Sequence, residues 1–251
     1  MQEQKLRGKT AVIVGSTSGI GEAIAREFAA NGAHVIVSGR RRERGDAVVD
    51  GIQQSGGSAE FVQTDAATPG DLRSLLDSAL EKRGRLDILV NNTAAELTKP
   101  LADCTVDDFE RIMSVNLRSY FVASVHAVKL MRQLPSRGTI LNINSVSSER
   151  PVRGTGLYSM SKGAVRQLTK ALALEHAADG IRVNEIRPGL IQTEIFLAPE
   201  AQAVARMGIA ATPLGRIGQP AEVAKAALHL VSDDAGFTTG ASLLIDGGLT
   251  I

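Results

Sequence analysis

Tyr158 and Lys162 stand four residues apart in the run Tyr158-Ser159-Met160-Ser161-Lys162. Ala164, Val165, Leu168, Leu172 and Leu174 follow at spacings that predict a helix over roughly 156–178 with one buried side. On such a helix residues i and i+4 share a face, so the phenol and the ammonium project together. That pairing has a chemical use. A tyrosine holds its proton up to a pKa of ~10, and a neighbouring cation favours the phenolate, moving the group toward the range in which it exchanges a proton with a substrate oxygen. The bland alternative is a lysine stem snorkelling past a packing tyrosine, and the pair alone does not choose. Aromatic residues are scarce, with two Tyr and no Trp, which adds weight to a tyrosine in this position.

A second constellation lies near the start. Gly15, Gly19 and Gly21 have GxxxGxG spacing in Val14-Gly15-Ser16-Thr17-Ser18-Gly19-Ile20-Gly21, where a predicted strand turns into a helix. Without side chains the backbone turns sharply and approaches a pyrophosphate, whose charge the N–H groups of the helix start stabilise. The same glycines would also serve a turn that is tight only for packing. The next strand ends HVIVSGRRRER. Gly39 stands where an acidic residue, about 20 positions after the glycines, usually holds a ribose 2′-hydroxyl. Arg40 follows it, so no carboxylate opposes a 2′-phosphate, and its guanidinium can bond the phosphate and stack on adenine. Ser16 is expected to add a hydroxyl donor, whereas Arg41 and Arg42 also read as a solvated helix start.

The elements that must position these residues alternate along the chain. Short apolar runs predict strands near 10–14, 34–38, 59–62, 87–91, 139–144, 181–187 and 241–245, separated by segments of helical period. The fold class expected is α/β: a single Rossmann-type, doubly wound domain over residues 1–251, with about seven parallel strands and helices on both faces. Ile20, Ala23, Ile24 and Phe28 form the stripe of the first crossover helix, which stops at Asn31-Gly32. Thr105 and Asp108 make a capping-box start, and with no Pro or Gly before about Arg132 one long helix is expected there. Pro220 opens the last helix, and Gly247-Gly248 close the last strand. Asn91, Ser145 and Pro188 all fall at carboxyl ends of strands, where open α/β sheets bind ligands.

Taken in order, these motifs resemble the short-chain dehydrogenase/reductase family over essentially the whole chain. The match comprises Gly15, Gly19 and Gly21; Asp65 after the third strand; Asn91-Asn92; Asn116; Ser145, thirteen residues before Tyr158; Lys162; Pro188-Gly189 followed by Thr193; and Asp246-Gly247-Gly248. The resemblance implies that Tyr158 exchanges the proton at the substrate oxygen while Ser145 holds that oxygen. Lys162 would lower the tyrosine pKa and bind the nicotinamide ribose, and Asn116 would position a water that replenishes the proton. Asp65 and Ala66 would lie by the adenine and Asn91 by the adenosine. Ile191 and Thr193, with Pro188 and Gly189, would orient the nicotinamide; Ser18 and Ile20 belong to the phosphate turn. Three departures stand out. Val14 replaces the usual threonine that braces the turn, Thr93 stands where a small residue is usual, and Glu185 and Arg187 put charges in a strand that is usually neutral.

The expectation is therefore an oxidoreductase interconverting a carbonyl and a secondary alcohol with NADP(H) preferred, NAD(H) being the alternative. An NAD(H)-dependent sugar or polyol dehydrogenase and a 3-oxoacyl-thioester reductase stay open, as does a catalytically idle nucleotide-binding scaffold. Substrate contacts are expected from Ala95-Glu96-Leu97, from Val146 to Thr155 and from Leu190 to Ala205, including Ile195 and Phe196. A net charge of +1 gives no argument for nucleic acid or an anionic membrane. No metal is called for. One cysteine, Cys104, excludes an intrachain disulfide, and no apolar run reaches membrane length, so a cytoplasmic protein is expected. The outer faces of the 105–132 and 163–178 helices, with the family habit, imply a homotetramer.

Overall fold

The computed structural model describes residues 4–194 and 201–251. Within them β1 (Thr10–Val14), β2 (His34–Gly39), β3 (Ser58–Gln63), β4 (Ile88–Asn91), β5 (Thr139–Ile143), β6 (Arg182–Pro188) and β7 (Ser242–Ile245) form one parallel sheet in the order β3-β2-β1-β4-β5-β6-β7. Strands such as TAVIV and TILNI are buried at every residue because helices cover both faces. Alternation along each strand divides the core in two. Ile13, Val35 and Val37 meet α1 (Gly19–Ala30) and α8 (Pro220–Val231) through Ile24, Phe28, Val223 and Ala227. Val12, Ile36 and Leu89 meet α3 (Pro69–Arg83), α5 (Ser119–Met131) and α6 (Gly156–His176) through Leu72, Leu76, Met131 and Leu172. Each fully buried Leu, Ile or Phe stabilises the sheet by about 1.5–3 kcal/mol.

The remaining helices are α2 (Arg42–Gln54), α4 (Val106–Met113) and α7 (Ala201–Ala211). The sheet order reverses between β1 and β4, which opens a crevice at the carboxyl ends of the strands. Parallel register also lines up Val14, Asn91, Asn142, Glu185 and Ser242 in one row across the sheet. Four of those five are polar and lie on the side covered by α5 and α6.

The expected long helix needs one correction. Its capping box is present: Asp108 N–H donates to Thr105 Oγ1 and Thr105 N–H to Asp108 Oδ2, each at 3.1 Å. The helix is not uniform, however, because Ser114–Arg118 forms a π turn between α4 and α5, with the Ser119 N–H reaching back to Ser114 O. The extra residue lets Asn116, fully buried, face the loop after β4 and α6 while α4 and α5 keep their own apolar faces inward.

Candidate active site

The phosphate turn is shaped by close backbone approach. Gly15 has φ +82°, and a Cβ there would lie 2.7 Å from Thr93 Cγ2; a Cβ on Gly21 would lie 2.2 Å from Gly15 O. Thr93 therefore fits because position 15 is glycine. The loss of a threonine at Val14 is made good by other groups: Asn92 Nδ2 donates to Gly15 O at 2.6 Å, and Ser16 Oγ donates to Ile13 O at 2.8 Å while accepting from Ser38 N–H at 3.0 Å. That corrects the expectation for Ser16. Its hydroxyl is buried and braces the turn, and its N–H is bonded to Ser38 O, so neither faces a ligand. Ser18, extended at the N-cap, makes no side-chain cap, which leaves the first-turn N–H groups of α1 without a side-chain acceptor, while Ile20 packs behind them on the core. Such an end suits a phosphate.

The arginines after β2 divide by partner. Arg42 lies 5.6 Å over the Phe61 ring, and Arg44 Nη1 pairs with Glu194 at 2.6 Å to Oε2. Arg41 Nη2 reaches Ser18 Oγ at 3.4 Å, at the lip of the phosphate turn, and Arg40 is exposed beside it. A Cβ on Gly39 would meet Thr17 Cγ2 at 2.7 Å, so Thr17 fills the space an acidic side chain would take. Asp65 accepts from Ala67 N–H at 2.9 Å and donates its own N–H to Asp71, which fixes the bend after β3, with Ala66 packed on the core. Asn91 points its amide at Ser124 Oγ and Asn142 Oδ1, at 3.0 and 2.9 Å, so only its backbone faces the crevice. On the far wall Pro188 is buried, Gly189 lies where a Cβ would sit 2.8 Å from Asp246 Cβ, Ile191 is buried and bridged to Gly218, and Thr193 approaches Gly19. Ile195 and Phe196 lie outside the described residues.

Ser145, Tyr158 and Lys162 converge where β5 ends. Ser145, extended, starts a 3-10 turn (Val146–Ser148); its Oγ accepts from Ser147 N–H at 3.1 Å and stands next to the Tyr158 phenol, whose ionised form it favours. Lys162 is 1% exposed, and its ammonium donates to Ile143 O at 3.0 Å and Tyr120 OH at 3.4 Å, lying 5.8 Å from the centre of the Tyr158 ring. The helix thus brings the pair together as the i, i+4 spacing requires. The expected shift does not follow. Loss of solvent pushes Tyr158 up to about 12, with the Ser145 hydroxyl pulling it down and the Glu96 carboxylate adding to the rise. Burial pushes Lys162 down to about 8, against the Glu96 and Glu185 carboxylates, which hold it up. Spacing speaks of adjacency but not of desolvation, and here desolvation is larger.

Asn116 acts locally. Its Nδ2 donates to Ala95 O at 2.9 Å and Ser161 Oγ at 3.0 Å, and its Oδ1 accepts from Ala95 N–H at 2.7 Å, so it clamps the loop after β4 to α6. Glu96 follows the clamped residue. Tyr120, missed from the sequence, is fully buried and shares its hydroxyl hydrogen between Ile143 O at 2.8 Å and Thr93 O at 3.0 Å while accepting from Lys162. Being the other of two tyrosines was its only signal.

A parallel, doubly wound sheet with a glycine turn and a Ser-Tyr-Lys cluster at its strand ends defines a dinucleotide-dependent oxidoreductase type of site. Comparison with known proteins agrees. A family model described as enoyl-(acyl carrier protein) reductase matches residues 14–250. Glucose 1-dehydrogenase 2 of Bacillus subtilis is 37% identical over 248 residues, covering 98% of this chain and 96% of the relative. 3beta-hydroxysteroid dehydrogenase 1 of Eggerthella lenta is 40% identical over 253 residues, covering 98% and 95%. A short-chain dehydrogenase/reductase from Serratia marcescens superposes with a TM-score of 0.92 at 35% identity, covering 98% of this chain and 100% of that one. The chain belongs to the short-chain dehydrogenase/reductase family and is an oxidoreductase acting on alcohols and carbonyls. Membership implies a nicotinamide cofactor, and the uncapped α1 start with its side-chain-free approach at Gly15 and Gly21 fits one.

Proposed function

We propose that the protein interconverts a carbonyl and a secondary alcohol with NADP(H), Tyr158 giving the proton to the substrate oxygen in reduction and taking it in oxidation. The observation that carries this reading is the convergence of Ser145, Tyr158 and Lys162 at the end of β5. A bound nicotinamide supplies or accepts the hydride. Ser145 holds the substrate oxygen against Tyr158. Lys162, buried and charged at neutral pH, stabilises the phenolate as it forms and bonds the ribose hydroxyls. Asn116 holds the Ala95 backbone and would position the water through which the proton is replenished. A tyrosine held near 12 keeps its proton at neutral pH, the form that can donate to a substrate oxygen.

The NADP(H) preference rests on Gly39 with Thr17 in the acidic side chain's place, and on Arg40 and Arg41 at the lip of the phosphate turn. A charge-assisted hydrogen bond contributes about 1.5–3 kcal/mol, so kcat/KM should favour NADP(H) by roughly ten- to a hundredfold. A panel of cyclic ketones, ketoses, polyols and 3-oxoacyl thioesters, assayed with both cofactors, tests this. Equal or better kcat/KM with NAD(H) would overturn the preference. A second reading, a sugar or polyol dehydrogenase, is favoured by Glu96, whose carboxylate charge reaches Tyr158 and Lys162 and would accept bonds from neighbouring hydroxyls. The same panel separates the two. The chain is read as one catalytic domain working in the cytoplasm as a homotetramer. Exposed Phe109, Phe121 and Leu174 on α4, α5 and α6 support the assembly, and among the described residues no helix is long and apolar enough to cross a membrane.

A further inference from the structure

The charges out of place in β6 form a connected group beneath the catalytic turn. Glu185 is 1% exposed; its carboxylate accepts from Asn144 Nδ2 and from Ser242 Oγ, both at 2.6 Å, with Arg166 Nε 4.0 Å away. Asn144 is the residue before Ser145, and its N–H donates to Ile186 O at 2.8 Å. Arg187 shares a strand face with Glu185 and is ion-paired with Glu149, which also meets Arg166 Nη1 at 3.1 Å. The turn that Ser145 opens is therefore gripped from β6 at both ends, at Asn144 by Glu185 and at Glu149 by Arg187. Arg166, one helical turn beyond Lys162, links the two grips, and two cations balance two anions.

Packing alone does not ask for this group. A buried carboxylate is unfavourable unless paired, and well-packed apolar residues of similar volume often serve stability as well or better. What the charges add is direction. We propose that Glu185 is a positioning residue for Ser145: by holding Asn144 it fixes the backbone from which the serine hydroxyl reaches Tyr158. Its charge acts on a second group as well. Lys162 is faced by Tyr120 from α5, Tyr158 from its own helix, Glu96 from the loop after β4 and Glu185 from β6; the two carboxylates are the anions that favour its protonated form. Glu185 itself is faced by Arg166 from α6, Asn144 beyond β5 and Ser242 from β7.

This inference rests on the roles proposed for Ser145 and Tyr158, so the experiment carries Tyr158→Phe as a reference. In a folded Glu185→Gln, kcat should fall roughly ten- to a hundredfold, the range expected of a misplaced reacting group, with cofactor Kd at pH 7 within about twofold of the parent. Cofactor binding, followed by fluorescence, should weaken at a lower pH than in the parent, because Lys162 has lost an anion that holds its proton. A merely structural role would lower Tm and leave that pH where it was. Asn144→Ala keeps the Glu185 charge but frees the turn, so it should lose about as much kcat with the binding profile unmoved. Glu185→Gln within about threefold of parental kcat overturns the proposal; if that variant does not fold, Asn144→Ala within the same range does so. If Tyr158→Phe is fully active, the active-site assignment itself fails. If it is inactive while Glu185→Gln works normally, only the Glu185 role falls.

Discussion

At the scale of the residue, Lys162 is a buried cation among oxygens, brought down to about 8 from an ordinary 10.5 mainly by loss of solvent. It is charged below that pH and neutral above it, so the charge that would strengthen its bonds to the ribose is lost as pH rises. Cofactor Kd measured from pH 6 to pH 10 should be flat below about 8 and weaken above it; constant affinity up to pH 10 would contradict the contact. The arginines after β2 give a second test. Arg40→Leu with Arg41→Leu should weaken NADP(H) binding at least about tenfold and leave NAD(H) binding nearly unchanged. Reversing the preference by adding an acid at Gly39 would first require Thr17 to move. The adjacency of Tyr158 and Lys162 was legible from type and spacing, because a helix fixes which side chains share a face, whereas Ser145 entered through the family resemblance. The direction of the tyrosine shift was not legible, since it depends on burial that spacing does not report. Ser16 was misread for a similar reason: its partners, Ile13 and Ser38, are brought to it only by the closed sheet.

At the scale of the element, buried parallel strands announce themselves as apolar runs, and each of the seven falls within a residue or so of its expected place. The π turn in the α4–α5 run gave no such sign. Ser114, Val115 and Leu117 satisfy helical spacing, and the extra residue is selected by what Asn116 binds, Ala95 and Ser161, both distant in sequence. The charge of Glu185 stood out in the sequence but its role did not, because its partners come from the residue after β5, from α6 and from β7. Two substitutions separate local from tertiary contributions here. Thr105→Ala removes half of the capping box and should cost about 1 kcal/mol in denaturant unfolding with kcat unchanged. Asn116→Ala strands the Ala95 N–H and C=O, and at about 1–3 kcal/mol for each unsatisfied group it should cost clearly more and also lower kcat. Equal effects of the two on stability would show that the clamp is not what holds the turn.

At the scale of the whole molecule, the reversal of strand order between β1 and β4 gathers residues from across the chain into one crevice: the glycine turn on one side, Pro188 to Thr193 on the other, and the proton-handling cluster at the end of β5. Exposed apolar residues on α4, α5 and α6 predict self-association, and a light-scattering mass of one chain at micromolar concentration would refute the tetramer. The crevice is useful only if the tyrosine at its base moves the proton. Tyr158→Phe deletes that proton and little else, so it should lower kcat by about 10²–10⁴-fold. Cofactor Kd, measured by fluorescence on the same preparation, should stay within about twofold. A folded Phe variant that binds cofactor normally and keeps more than about a tenth of the parental kcat would contradict the account.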